Sequence, residues 1–164
     1  MLSGIEILKY LPEVNILRYI DLEELNDIEE GFGKQGLVIL YPTVSDNEGH
    51  WCCLFINPRD DKLYFFDSYG IIPDDQLEFR TEEYTRIVPK TYRHLTKLLL
   101  NSKREVDYNP WKFQSDSPKI TTCGLWCVAR ILFSHRTCDE FHFLFGPGYE
   151  INQDKLVTKF IEGL

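Results

Sequence analysis

A chain of 164 residues with 43% hydrophobic and 27% charged side chains has enough apolar material for one buried core, and it reads as a single domain spanning 1–164. The net charge of −8 argues against DNA or another polyanion as main partner and suits a basic protein surface better. No apolar run approaches the roughly 18 residues that cross a membrane, and the N-terminus lacks a secretory pattern, so no membrane partner is expected. Five cysteines, with Cys52 and Cys53 adjacent, make a poor disulfide framework and fit a reducing intracellular compartment.

In chain order, Ser3 and Glu6 form a capping-box pattern for a short helix with Ile5, Leu8 and Leu11 on one face, ended by Pro12. Residues 15–20 alternate as a strand. Residues 21–30 are acidic, with Leu22, Leu25 and Ile28 at helical spacing before Gly31 and Gly33, and their charges read as a solvated face. Residues 37–41 are wholly apolar and suit a buried strand. Residues 50–57 and 62–67 flank the turn formers Pro58, Arg59, Asp60 and Asp61, which predicts a hairpin.

The register of that hairpin carries chemical content. If Asn57 pairs with Lys62, then His50 faces Tyr69 and Cys52 faces Asp67, which makes His50 and Asp67 diagonal neighbours on one face. Diagonal Cβ atoms lie about 7–8 Å apart, within reach of an imidazole and a carboxylate. A one-residue slip would separate them. Beyond the hairpin, 70–80 reads as a loop and 81–102 as helix, broken near Pro89, with Tyr92, Leu95, Leu98 and Leu99 at helical intervals. Residues 106–114 are partly extended and 139–145 form a short apolar helix or turn. Asn152 caps a last helix with Leu156, Val157, Phe160, Ile161 and Leu164 on one side.

The most informative stretch is 121–133. Two threonines precede Cys123, and a nearly unbroken apolar run follows, which predicts a helix buried on all sides with Cys123 in its first turn. Free N–H groups and the helix dipole at that position favour a thiolate. A thiol peptidase needs a thiolate, a base and oxyanion donors. Cys123 offers the first and His50 the second, with Asp67 holding the imidazole in the right tautomer. Gln114 can aim its amide into an oxyanion hole beside the Cys123 N–H. A competing use of the same residues is zinc, since Cys123 and Cys127, and Cys138 and His142, each stand four apart. The pairs lack Gly-rich knuckles, so the reading is of no metal and no cofactor, with Cys52, Cys53, Cys127 and Cys138 as inert thiols.

The ordered motifs Gly49-His50-Trp51, Asn57-Pro58-Arg59, Tyr64-Phe65-Phe66-Asp67-Ser68-Tyr69-Gly70, Gln114 and Cys123-Gly124-Leu125-Trp126-Cys127 resemble the adenovirus-type maturation protease, adenain, and its relatives the ubiquitin-like-protein-specific proteases. The resemblance covers roughly residues 37–133. It implies a papain-like cysteine protease of the adenain and ubiquitin-like-protease type, an α+β fold with a mixed central sheet packed on the buried helix that bears the nucleophile. It implies Cys123 as nucleophile, His50 as base, Asp67 as its partner, Gln114 in the oxyanion hole and Trp51 beside a substrate groove that admits glycine. By its own pattern Trp51 points away from His50 and reads as core.

The chain departs from that family in three ways. The loop from Gln114 to Cys123 is longer, so Asn109 or a backbone group is an alternative to Gln114. No cysteine lies between Cys53 and Cys123 to tether an activating peptide, and the acidity does not suit activation by DNA. The chain also ends earlier, as a minimal catalytic core would. The expected function is a cysteine endopeptidase cutting after glycine in a viral precursor, acting in the host cytoplasm or nucleus or in the virion. The alternatives are a deubiquitinase or deSUMOylating isopeptidase acting on Gly-Gly tails, a zinc-binding protein, or a binding module that has lost catalysis.

Overall fold

The computed structural model describes residues 1–79, 92–146 and 152–164. It is an α+β architecture built on a five-stranded mixed sheet in sequential order. The strands are β1 (Asn15–Arg18), β2 (Leu37–Ser45), β3 (Glu48–Ile56), β4 (Leu63–Phe66) and β5 (Val106–Tyr108). β1 runs parallel to β2 and β5 parallel to β4, while β2, β3 and β4 are antiparallel. The helices are α1 (Gly4–Tyr10), α2 (His94–Leu100), α3 (Cys123–Leu132), α4 (Cys138–Phe145) and α5 (Gln153–Glu162). Among the described residues, no helix is long and apolar enough to cross a membrane.

Alternation along the strands divides the interior into two cores. Val38, Leu40, Trp51, Cys53, Phe55, Tyr64 and Phe66 face α3 and its flanking helices. Leu37, Ile39, Tyr41, Cys52, Leu54, Leu63 and Phe65 face α2 and the 3₁₀ turns. With both faces covered, the central strands are apolar on both sides, which explains the uninterrupted run at 37–41.

Pairing of β3 with β4 sets Cys53 opposite Phe66, Leu54 opposite Phe65, Phe55 opposite Tyr64 and Ile56 opposite Leu63. The Asn57 N–H donates to the Lys62 carbonyl at 3.0 Å and closes the turn, in the register expected from its residues. Asp61 takes the left-handed conformation there, with φ of 60°. α3 is buried along nearly its whole circumference, as the apolar run predicts. Even its cation is internal: Arg130 donates to the carbonyls of Phe133 at 2.9 Å and Arg136 at 2.8 Å, and it lies 4.5 Å from the Phe55 ring centroid. A cation at a helix C-terminus is favoured by the dipole, and aromatic faces add to that.

Several local expectations are corrected. The capping box at Ser3 and Glu6 forms and Leu11, just past α1, is buried as expected, but Ile7 is buried with it while Ile5 and Leu8 are exposed. Packing against a neighbour, not spacing within seven residues, decides the face of so short a helix. Two 3₁₀ turns, Tyr19–Glu24 and Ile28–Gly31, stand in place of the α-helix expected at 21–30, and the first ends the strand expected at 15–20 at Arg18. Asp21 accepts from the Arg18 N–H and Asp27 from the Glu29 N–H, so the acidic side chains divert backbone donors that a longer helix would use. The loop expected at 70–80 contains a 3₁₀ turn at Asp75–Phe79. The helical expectation for 81–91 lies outside the described residues, and its continuation appears as α2. Leu164 is exposed, while Val157 and Ile161 anchor α5.

Gly49 is required by close approach. β2 and β3 shift register between Pro42 and Ser45, and a Cβ on Gly49 would lie 1.8 Å from the Tyr41 carbonyl oxygen. Gly49→Ala is therefore expected to lower stability by about 1–3 kcal/mol, the usual cost of overpacking, as a reduced urea midpoint with unchanged m.

Candidate active site

The hairpin brings His50, near the start of β3, against Asp67, the first residue after β4. His50 Nε2 and Asp67 Oδ2 are 2.9 Å apart, and the two residues are 7% and 0% exposed. A carboxylate only accepts, so Nε2 carries the proton and Nδ1 is the nitrogen left for the thiol. Asp67 is itself fixed from three sides. Oδ1 accepts from the Tyr69 N–H at 2.7 Å, Oδ2 also accepts from Gln76 Nε2 at 3.1 Å, and the backbone carbonyl accepts from Asn109 Nδ2 at 2.7 Å. The Tyr69 ring stacks on His50 with centroids 5.1 Å apart. The chain then turns sharply at Gly70, whose φ of +71° and closeness to the Trp111 carbonyl require glycine.

Cys123 is the first residue of α3 and is 3% exposed. Burial raises its pKa, but a hydrogen bond with His50, the His50 charge and the N–H groups of Trp51 and Gly124 bring it below the ordinary thiol value. Burial alone would lower His50. The Asp67 charge, its hydrogen bond and the Cys123 contact instead raise His50 to about 10. The two shifts together favour a thiolate–imidazolium pair. In contrast, burial pushes Cys52, Cys127 and Cys138 upward.

The Gln114 side chain reaches the same place. Its Oε1 accepts from Ser68 Oγ at 2.8 Å, and its Nε2 donates to the Ile120 carbonyl at 3.1 Å and the Tyr69 hydroxyl at 3.2 Å. The Ile120 carbonyl can only accept, which fixes the NH₂ group on that side. Asn109 is differently committed, since its amide donates to the carbonyls of Asp67 and Trp111. A cleft of about 770 Å³ opens here, lined among others by His50, Tyr69, Gln76, Gln114, Ile120 and Cys123. Trp51 is 4% exposed and packs in the core with Cys123 and Trp126, its indole N–H donating to the Leu2 carbonyl at 2.9 Å. Its neighbours Gly49 and His50 line the cleft instead.

The other cysteine–histidine pair does not converge with this cluster. Cys127 is buried beside Cys53, whose Sγ lies 4.0 Å from the Cys127 carbonyl. Cys138 Sγ approaches the Tyr108 carbonyl, and the His142 ring stacks on Trp111 at 4.0 Å. Among the described residues, no group of three or more His, Cys, Asp or Glu side chains is placed to hold a metal ion.

Two residues of the site carry no local sequence signal. Gln76, 4% exposed, shares the Asp67 oxygen that holds His50. Asp154, in the first turn of α5, accepts from Thr122 Oγ1 at 2.5 Å, the Ser115 N–H at 3.0 Å and Trp126 Nε1 at 3.4 Å. Thr122 precedes α3 as expected, yet its hydroxyl makes no cap and bonds to Asp154.

Fold and cleft together define an α+β domain in which a buried cysteine, a histidine and a carboxylate meet at the end of a mixed sheet. No family model matches the sequence. The chain is 36% identical over 161 residues to "Uncharacterized protein V9" of the Sputnik virophage, an alignment covering 96% of this chain and 91% of that protein. The chain belongs to the V9 family.

The electrostatics of the cluster give a pH dependence with a definite sign. A lowered Cys123 pKa keeps thiolate present below the ordinary thiol range, so iodoacetamide is expected to modify Cys123 ahead of Cys52, Cys127 and Cys138 at neutral pH. Asp67→Asn removes the charge that raises His50, weakens the imidazolium and moves the acid limb of Cys123 alkylation to higher pH. Mass spectrometry of alkylated peptides across pH measures the limb, and an unmoved limb removes Asp67 from the cluster's electrostatics.

Proposed function

We propose that the protein is a cysteine peptidase of the adenain and ubiquitin-like-protease type. The observation that carries the reading is geometric: His50 Nε2 lies 2.9 Å from Asp67 Oδ2, and His50, Gln114 and Cys123 line one cleft, with Cys123 shifted down and His50 up in keeping with that arrangement. Perturbed titration of two groups in a shared cleft is a mark of an acid–base and nucleophile pair.

In this mechanism the Cys123 thiolate attacks the substrate carbonyl carbon, and the C=O electron pair moves onto oxygen. The oxyanion is met by the Cys123 N–H and by a Gln114 amide proton that exchanges its bond to the Tyr69 hydroxyl for one to substrate. The imidazolium of His50 gives its Nδ1 proton to the leaving amine as the C–N bond breaks, leaving a thioester. His50 then takes a proton from water, which attacks the thioester and releases the acid product and the thiolate. Asp67 keeps Nε2 protonated throughout and so keeps Nδ1 directed at the sulfur.

Substrate choice follows from access. Cys123 is 3% and His50 7% exposed, so a residue presenting its carbonyl to the sulfur passes most readily without a side chain. That supports cleavage after glycine. The virophage relative supports a viral origin, and on that footing we take a viral precursor as the substrate of the proposed peptidase. The second reading, an isopeptidase for ubiquitin-like Gly-Gly tails, is favoured by one observation, a net charge of −8 that suits a basic protein partner.

On this reading Cys123→Ala abolishes turnover of glycine-containing peptides. His50→Ala lowers kcat by about 10²–10⁴-fold, the range for a lost acid–base group. Gln114→Ala lowers it by about 10²–10³-fold, as for a lost oxyanion donor. Circular dichroism of each variant should remain that of wild type. Near-normal activity in Cys123→Ala or His50→Ala overturns the assignment. Covalent capture of Cys123 by ubiquitin or SUMO propargyl probes would select the isopeptidase reading over precursor processing.

A further inference from the structure

Asp154 is a buried carboxylate far along the chain from the cluster it touches. One oxygen, Oδ2, accepts from the backbone N–H of Ser115 at 3.0 Å, and the other, Oδ1, accepts from Thr122 Oγ1 at 2.5 Å and Trp126 Nε1 at 3.4 Å. Ser115 directly follows Gln114, and Thr122 directly precedes Cys123. A single side chain therefore holds both ends of the loop between the two groups assigned to the oxyanion hole. Inside the loop, the Ile120 N–H donates to the Ser117 carbonyl at 2.9 Å, and the Ile120 carbonyl in turn takes the Gln114 amide at 3.1 Å.

We propose that Asp154 is a positioning residue that fixes the separation of the Gln114 amide and the Cys123 N–H, and so the geometry of the oxyanion hole. The inference rests on the peptidase reading above. Its physical basis is that a carboxylate accepts at both oxygens, whereas any neutral substitute of the same shape cannot. Asparagine is no clean test, because with its oxygen toward the Ser115 N–H its NH₂ can still donate to the Thr122 hydroxyl, whereas Asp154→Ala removes both bonds. The loop lies at the surface, with Asp116, Pro118, Lys119 and Thr121 exposed, and these two bonds tie its ends to α5. Donors displaced by an ångström forfeit much of their stabilisation of developing charge, and misplacement on that scale can cost about 10²-fold in rate.

The test uses the whole chain. Asp154→Ala and Thr122→Val are expected to lower kcat for a fluorogenic glycine peptide by up to about 10²-fold with KM little changed. Thr122→Ser, which keeps the hydroxyl, is expected to restore turnover. Iodoacetamide should alkylate Cys123 in all these variants as in wild type, since ionisation of the thiol depends on His50 and not on the loop. Asp154→Ala combined with Gln114→Ala should be slower than Gln114→Ala by less than the effect of Asp154→Ala alone, because the two changes share the Gln114 donor. Retained kcat in Asp154→Ala overturns the proposal, as does loss of kcat matched by an equal loss of alkylation, which would mark general damage to the site.

Amide hydrogen exchange separates this idea from the peptidase reading. Exchange at Ser115–Cys123 should accelerate in Asp154→Ala whatever the protein hydrolyses, and unchanged exchange there overturns the positioning role. A wild type that alkylates normally and cleaves no glycine peptide overturns the peptidase reading, and the positioning role with it.

Discussion

The bond between His50 and Asp67 is the constraint on which the site depends. It joins two strands at the end where their pairing stops, and it is buried to the point that neither partner has water to fall back on. A buried carboxylate without partners would be costly; this one is satisfied by His50, Gln76 and the Tyr69 N–H. The charge it retains is what holds a proton on the imidazole, and the charged imidazole is what stabilises a thiolate on a sulfur that burial would otherwise keep neutral. Each step of this chain is favourable only because the preceding one is in place.

The helix that carries Cys123 contributes by being immovable. It is packed between the sheet and α5, with α1 against its start, and its ends are electrically complementary to what they hold. The thiol sits where the dipole is positive and Arg130 where it is negative. On the proposed peptidase reading, a nucleophile on such an element would have little conformational freedom left to lose when substrate binds, which is the structural content of preorganisation.

Much of this was legible from local signals. The turn residues at 58–61 set a register, and a register determines which side chains become neighbours, so His50 and Asp67 could be paired before any coordinates. The apolar run after Cys123 announced a buried helix because no solvent-facing side was provided for. What escaped notice depended on contacts distant in sequence. Gln76 follows Asp67 by a loop with no periodicity, and Asp154 looks like an ordinary acidic residue in the first turn of a helix. Of the face expected from Ile5, Leu8 and Leu11, only Leu11 is buried, joined by Ile7, because a two-turn helix rotates to suit its neighbours. The acidic stretch at 21–30 failed as a helix because its carboxylates captured backbone donors locally.

The burial of α3 also bears on how such a protein can diverge. Cys123, His50 and Asp67 are locked among core residues, where almost any substitution disturbs packing. The rim of the cleft is made differently: Glu48, Lys112 and Asp116 are exposed, at the first residue of β3 and on the segment leading to α3. Changes there alter what the mouth of the cleft meets without touching the sheet or the helix. If the proposed peptidase reading holds, exchange of rim residues can change which sequences the cleft accepts while the buried centre stays unaltered, and selection on the two parts can proceed independently.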